Sequence, residues 1–127
     1  LLYALKQDNL KTFARLIEAV GGISSQMATK LLWDILKEKK DAQYVPVVAA
    51  QKADINNVKD GKTPLITAID TDNVEMVQML LDKGALPNKF ADPAIGTPLQ
   101  RTRAMQKKLN GQNATIELLL RQHGAKE

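Results

Sequence analysis

Asp60-Gly61-Lys62-Thr63-Pro64-Leu65 is followed, twenty-one residues after Thr63, by Gly84-Ala85. The same pair of signals returns as Thr97-Pro98-Leu99 and Gly124-Ala125. One Thr-Pro marks a helix start. Two of them, each followed by an apolar helix and a Gly-Ala stop, mark an internal repeat. A repeat decides the architecture before any other reading. It also points to binding rather than catalysis.

Each residue of the unit has a mechanical task. Thr63 can cap a helix by accepting a hydrogen bond from a free backbone N–H. Pro64 fits the first helical position, where its missing N–H costs nothing. Leu65 and Ala68 then share one helical face, and Ala68 is small enough to admit a neighbouring helix. Asp72-Asn73 breaks the chain in a turn. Val74, Val77, Leu80 and Leu81 form the apolar stripe of a second helix. Gly84 stops it, because glycine tolerates the left-handed conformation at a helix C-terminus. Asn56-Asn57 and Asp60-Gly61 supply turn residues ahead of the unit.

This unit resembles the ankyrin repeat: a turn with Asp-Gly, Thr-Pro-Leu, a short inner helix, an outer helix with Val-x-x-Leu-Leu, and Gly-Ala. Residues 57 to 88 carry the resemblance throughout, except that Ile66 replaces the usual His two positions after the proline. Lys52-Ala53-Asp54-Ile55-Asn56 looks like the end of a preceding repeat, with Lys52 in the glycine position. Stepping back about 33 residues from Leu65 reaches Leu32, within Leu31-Leu32-Trp33-Asp34-Ile35-Leu36. A further step reaches Leu1-Leu2-Tyr3-Ala4, where Asp8-Asn9-Leu10 and Phe13, Leu16 and Ile17 echo Asp72-Asn73-Val74 and Val77, Leu80 and Leu81. The resemblance implies an all-α solenoid of about four stacked helix-turn-helix units with projecting turns. It forms a single domain over residues 1–127, with units at about 1–24, 25–56, 57–90 and 91–127.

The units differ in detail. From Thr97 to Gly124 there are six residues more than from Thr63 to Gly84. Most of the excess falls in Ala104 to Asn113, either as a longer inner helix or as a loop turning at Asn110-Gly111. The second unit lacks Thr-Pro, so its inner helix is expected over Gln26 to Lys37. Pro46 falls near the start of its outer helix, where proline is tolerated.

Composition fits a stack of helices. Hydrophobic residues make up 44% but aromatics only 4%, which suits a Leu, Val, Ile and Ala core rather than a sandwich or barrel. Solenoids bury a continuous core by stacking, and their end units need polar outer faces; Arg121-Gln122-His123 and Lys126-Glu127 supply one. No stretch reads as a membrane span. Cysteine is absent, which removes disulfides, thiol nucleophiles and thiolate zinc sites. The chain opens Leu1-Leu2 without methionine, so a removed signal peptide, a disordered stretch or a trimmed end is expected upstream. The compartment is accordingly cytoplasmic or, after signal removal, periplasmic or secreted.

The chemistry of catalysis is thinly represented. His123, the one histidine, sits in the helix stop Gln-His-Gly, where it complements the dipole. It has no flanking nucleophile. Carboxylates alone would suit hard ions rather than zinc. Asp70 and Asp72 could form a carboxylate pair, but their place at a helix end reads more simply as turn and surface. Gly61-Lys62-Thr63 imitates the end of a phosphate-binding loop, yet that motif needs glycine where Asn56 stands. Asn113-Ala114-Thr115 matches a glycosylation sequon at a helix start and reads as chance. No catalytic residue, metal site or cofactor is expected.

The formal net charge is +4, with a local concentration at Arg101, Arg103, Lys107 and Lys108. Nucleic acid could use such a patch, making a nucleic-acid-binding solenoid a second alternative. No helix-turn-helix, zinc or stacking platform accompanies it, and an acidic protein partner is the better match.

Ankyrin proteins generally bind partners through turn tips and a concave groove of inner helices. Carried over position by position, the resemblance implies a protein-binding site of Lys37, Asn57, Lys59, Asp60, Lys62, Asp70, Thr71, Phe90, Ile95 and Arg103. Phe90 falls in a turn, where it either anchors a partner or folds down over the fourth unit. Trp33 aligns with Ile66 and is expected in the core. The resemblance therefore implies a non-catalytic interaction module, a monomer when free. The Lys/Asn/Gln-rich style of the short array suggests a bacterial source. Four units with little else favour a stand-alone binder that inhibits, or protects against, a partner enzyme or toxin. A scaffold, adaptor or secreted effector module is the alternative.

Overall fold

The computed structural model describes residues 5, 7, 9–105 and 113–126. Among them are seven α-helices and no strand beyond one isolated bridge, so the fold is all-α as the sequence indicates. The chain separates into two units, Leu1–Ile55 and Asn56–Glu127.

In the first unit, α1 spans Leu10–Ala19 and starts where Asn9 accepts a hydrogen bond from the Thr12 N–H. Phe13 and Ile17, four apart, form its buried stripe. Helix α2 spans Ser25–Lys37, one residue longer at its start than the sequence reading, because Ser24 supplies the N-cap to Met27. It buries Ala28, Leu31, Leu32, Ile35 and Leu36. Helix α3 spans Tyr44–Ala50 and packs on α2. Pro46 lies in its first turn, where no intrahelical N–H is lost. The Phe13 and Tyr44 rings meet edge to face, centroids 5.4 Å apart, an arrangement aromatic quadrupoles favour. Trp33 is only half-buried; the core positions of α2 are taken by its aliphatic neighbours.

Asn56–Glu127 opens on a hairpin. Lys59 and Lys62 exchange backbone hydrogen bonds of 3.0 and 3.1 Å. Asp60 and Gly61 between them have φ of 55° and 77°, the paired positive values a tight two-residue turn demands. Helix α4, Pro64–Asp70, begins as the sequence dictates, with Thr63 Oγ1 accepting from the Ile66 N–H at 3.3 Å. Leu65, Ile66, Ala68 and Ile69 are buried. Ile66 thus fills with aliphatic bulk the position where a histidine is usual. Asp72, at φ 56°, turns the chain, and Asn73 caps α5, Val74–Asp82, at Met76. Met76, Val77, Leu80 and Leu81 face inward.

Helix α6, Pro98–Ala104, starts with a full capping box: Thr97 Oγ1 accepts from the Gln100 N–H and Gln100 Oε1 from the Thr97 N–H. That arrangement satisfies two otherwise orphaned donors. Helix α7 is Asn113–Gln122. Within this unit α4 packs on α6 and α5 on α7, while α4–α5 and α6–α7 close the layers. Helices α4 and α6 have equal length, so the excess of the fourth unit does not lengthen its inner helix. The rest of that excess, including Lys107, Lys108 and Asn110-Gly111, lies outside the described residues.

Candidate functional site

Of the expected site residues in Asn56–Glu127, Lys59, Asp60 and Lys62 lie in the hairpin and Phe90 and Ile95 in the loop before α6. Asp60 and Gly61 form the hairpin tip, and Lys59 and Asp60 are exposed. This tip sits against the loop before α6: a Cβ added at Gly61 would lie 3.2 Å from Asp92 Cβ. The loop is shaped by Asp92, whose Oδ1 accepts the Ala94 N–H at 2.9 Å and whose carbonyl oxygen takes the Gly96 N–H. Phe90 lies at the start of this loop and keeps 46% of its surface exposed. It does not fold down into the core. Ile95 is half-buried. Val58 and Leu86, which the sequence reading missed, are also exposed apolar side chains of this unit. Lys89 Nζ donates to the Asn56 carbonyl oxygen at 2.9 Å and so ties the segment before Phe90 to the segment before Val58.

Behind the tip lies an ion cluster. Lys62 Nζ reaches Asp70 Oδ2 at 2.5 Å, and Arg101 Nε reaches Asp70 Oδ1 at 2.7 Å. One carboxylate at the end of α4 thus holds a cation from the hairpin and another from α6. The Arg101 guanidinium is held above its ordinary pKa by its hydrogen bond to Asp70, burial opposing and the Asp70 charge reinforcing. Asp70 is consequently a link between elements. Asp72 Oδ1 is buried without a hydrogen-bond partner among the described residues.

Three expected contacts stand apart. Thr71 donates its hydroxyl to the Ala68 carbonyl oxygen. Arg103 turns to Glu117 of α7 at 2.9 Å, where Arg121 also approaches. Lys37 is exposed at the end of α2, in the other unit. Asn57 is half-buried beside the hairpin. The basic concentration read from the sequence is therefore divided: Arg101 is claimed by Asp70 and Arg103 by Glu117. His123 Nδ1 lies 2.9 Å from the Leu119 carbonyl oxygen, the helix-end role its position implied. Among the described residues no group of three or more His, Asp or Glu side chains could hold a metal ion. No described helix is long and apolar enough to cross a membrane.

A family model described as ankyrin repeats (3 copies) matches residues 1–127. The chain belongs to the ankyrin-repeat family. Neither the curated proteins nor the solved structures compared with it give a match. Membership identifies this ankyrin chain as a protein–protein interaction module of a generally non-catalytic family, with a protein as its partner. The Asp70–Arg101 link joins residues 31 apart, short of the 34 that separate Thr63 from Thr97, and no motif in the sequence marks it.

Proposed function

We propose that this ankyrin chain is a bacterial binder of about four units that inhibits, or protects against, a partner enzyme or toxin. The partner engages the hairpin tip and the loop before α6 in Asn56–Glu127, with Phe90 as its apolar anchor and Lys59 and Lys62 on the rim. The exposed ring of Phe90 carries this reading. A half-exposed phenylalanine in a loop costs solubility and contributes little to folding, whereas aromatics supply much of the affinity at interfaces. The basic rim favours an acidic face on the partner, which raises the rate of encounter.

The test is a pull-down followed by titration of the captured protein and an assay of its activity. Phe90→Ala should weaken binding by more than about 2 kcal/mol, the scale of a central anchor. Glu75→Ala and Gln78→Ala, exposed on α5, should leave affinity nearly unchanged. Binding without loss of the partner's activity would turn the reading to a scaffold. Binding lost on the α5 changes and kept in Phe90→Ala would move the site to the outer helices.

A further inference from the structure

Arg101 is bound to Asp70 through Nε alone. Among the described residues no partner meets its two terminal amino groups, and its side chain keeps 26% of its surface in solvent. Arginine presents five donors in a rigid fork, and a carboxylate can take the terminal pair in parallel. Here one edge of the fork is already tied, which fixes the plane of the guanidinium before any ligand arrives. Lys62 approaches the other Asp70 oxygen. Lys62, Asp70 and Arg101 together carry a single net positive charge.

We infer that Arg101 is a specificity-determining residue that receives a single carboxylate of an acidic partner side chain, and that Asp70 sets its preference for carboxylate over phosphate. This rests on the protein-binding reading above. The charge balance supports it. One carboxylate neutralises the cluster completely. A phosphate backbone brings a run of charges and needs a run of cations to match. Asp70 repels the surplus, and the next arginine, Arg103, is already paired with Glu117. Removing the Asp70 charge would leave two cations facing solvent and open the cluster to polyanions. Asp70 itself touches no ligand; it orients the guanidinium and limits the charge the site accepts.

The experiment needs no partner, so its failure would leave binding through Phe90 standing. The backbone amide signals of α6 are followed by NMR in the full chain, together with the side-chain Nε–Hε signal of Arg101, assigned by its absence in Arg101→Lys. The probes are a capped peptide with a single glutamate, the same peptide with glutamine in its place, and a short single-stranded oligonucleotide. The glutamate peptide is expected to shift the Nε–Hε signal saturably, and the glutamine peptide is expected to leave it in place. Arg101→Lys keeps the charge but loses the fork, so its affinity for the glutamate peptide, read from the α6 amides, should fall about threefold to fivefold, the scale of a partly exposed ion pair. Asp70→Asn, nearly isosteric, should move the ratio of oligonucleotide to glutamate-peptide affinity upward by a similar factor of about three to five. Its fold is checked by circular dichroism, and Asp70→Ser, also short, polar and uncharged, takes its place if it unfolds. An Arg101 signal that ignores the glutamate peptide would overturn the inference. So would a parent chain that prefers the oligonucleotide, or an unchanged ratio in the folded uncharged variant.

Discussion

The side-chain amide of Asn56 donates to the Gly84 carbonyl oxygen at 3.1 Å while its oxygen accepts the Leu86 N–H at 2.8 Å. Asn88 repeats the clamp on the Gly124 carbonyl oxygen and the Lys126 N–H. The first clamp spans 28 residues to the glycine and the second 36, so the later unit carries eight extra residues without losing the clamp. In Leu1–Ile55 the same two backbone groups, the Lys52 carbonyl and the Asp54 N–H, are met by the hydroxyls of Ser25 and Thr29. Two hydroxyls one helical turn apart replace one amide. Asn56→Ala should therefore cost about 1–3 kcal/mol, two hydrogen bonds at ordinary net worth. Ser25→Ala should cost about half of that. Urea midpoints of the two variants check it; equal losses would contradict the division of labour.

Lys52 occupies the glycine position of its unit with φ 65°. A side chain there costs about 1–2 kcal/mol in local sterics, against which glycine's greater unfolded-state freedom returns about 0.5–1 kcal/mol. Lys52→Gly should thus stabilise the protein by up to about 1 kcal/mol. A thermal or urea midpoint at or below that of the parent would show that this strain is relieved elsewhere.

These positions show what the sequence can disclose. The Thr-Pro starts, the Gly-Ala stops and the Leu80 stripe are local, because caps and helical periodicity act over a few residues, and they were legible. The start of α2 was placed one residue late because its Ser24 cap lacks the proline that marks the other inner helices. Trp33 was assigned to the core by residue type, but helix rotation about Leu32 and Ile35 decides its exposure. At the candidate site, the turn residues were legible from the repeat register. The partners of Asp70 and Arg103 were not, since a charge can reach an opposite charge on the next helix or on its own outer helix, and only rotamers and helix spacing choose. Val58 and Leu86 were missed because a single apolar residue in a turn carries no periodicity that assigns a face.

Gly61 meets two demands at once. Its φ is 77°, and an added Cβ would sit 3.2 Å from Asp92 Cβ. Gly61→Ala should destabilise by about 1–2 kcal/mol from the left-handed conformation alone, with a further cost where the two turns approach. A signature accompanies the loss: the backbone amide signals of Asp92 to Gly96 should shift along with those of Lys59 to Lys62. A shift confined to the hairpin would mean that the two turns do not press on each other.

Leucines of similar appearance carry very different energies in this chain. Leu80 on α5 and Leu120 on α7 are fully buried, whereas Leu118, two residues from Leu120, is 56% exposed. Leu80→Ala and Leu120→Ala each remove buried methyl groups and leave a cavity, so each should cost about 2–5 kcal/mol. Leu118→Ala should stay within about 0.5 kcal/mol of the parent, as surface changes usually do. The comparison separates core packing from helix propensity, because all three substitutions introduce the same alanine into a helix. Urea denaturation at fixed pH reads the three midpoints directly. A Leu118→Ala midpoint as low as that of Leu120→Ala would mean that α7 buries its other face, and the assignment of the outer layer of Asn56–Glu127 would have to be rotated accordingly.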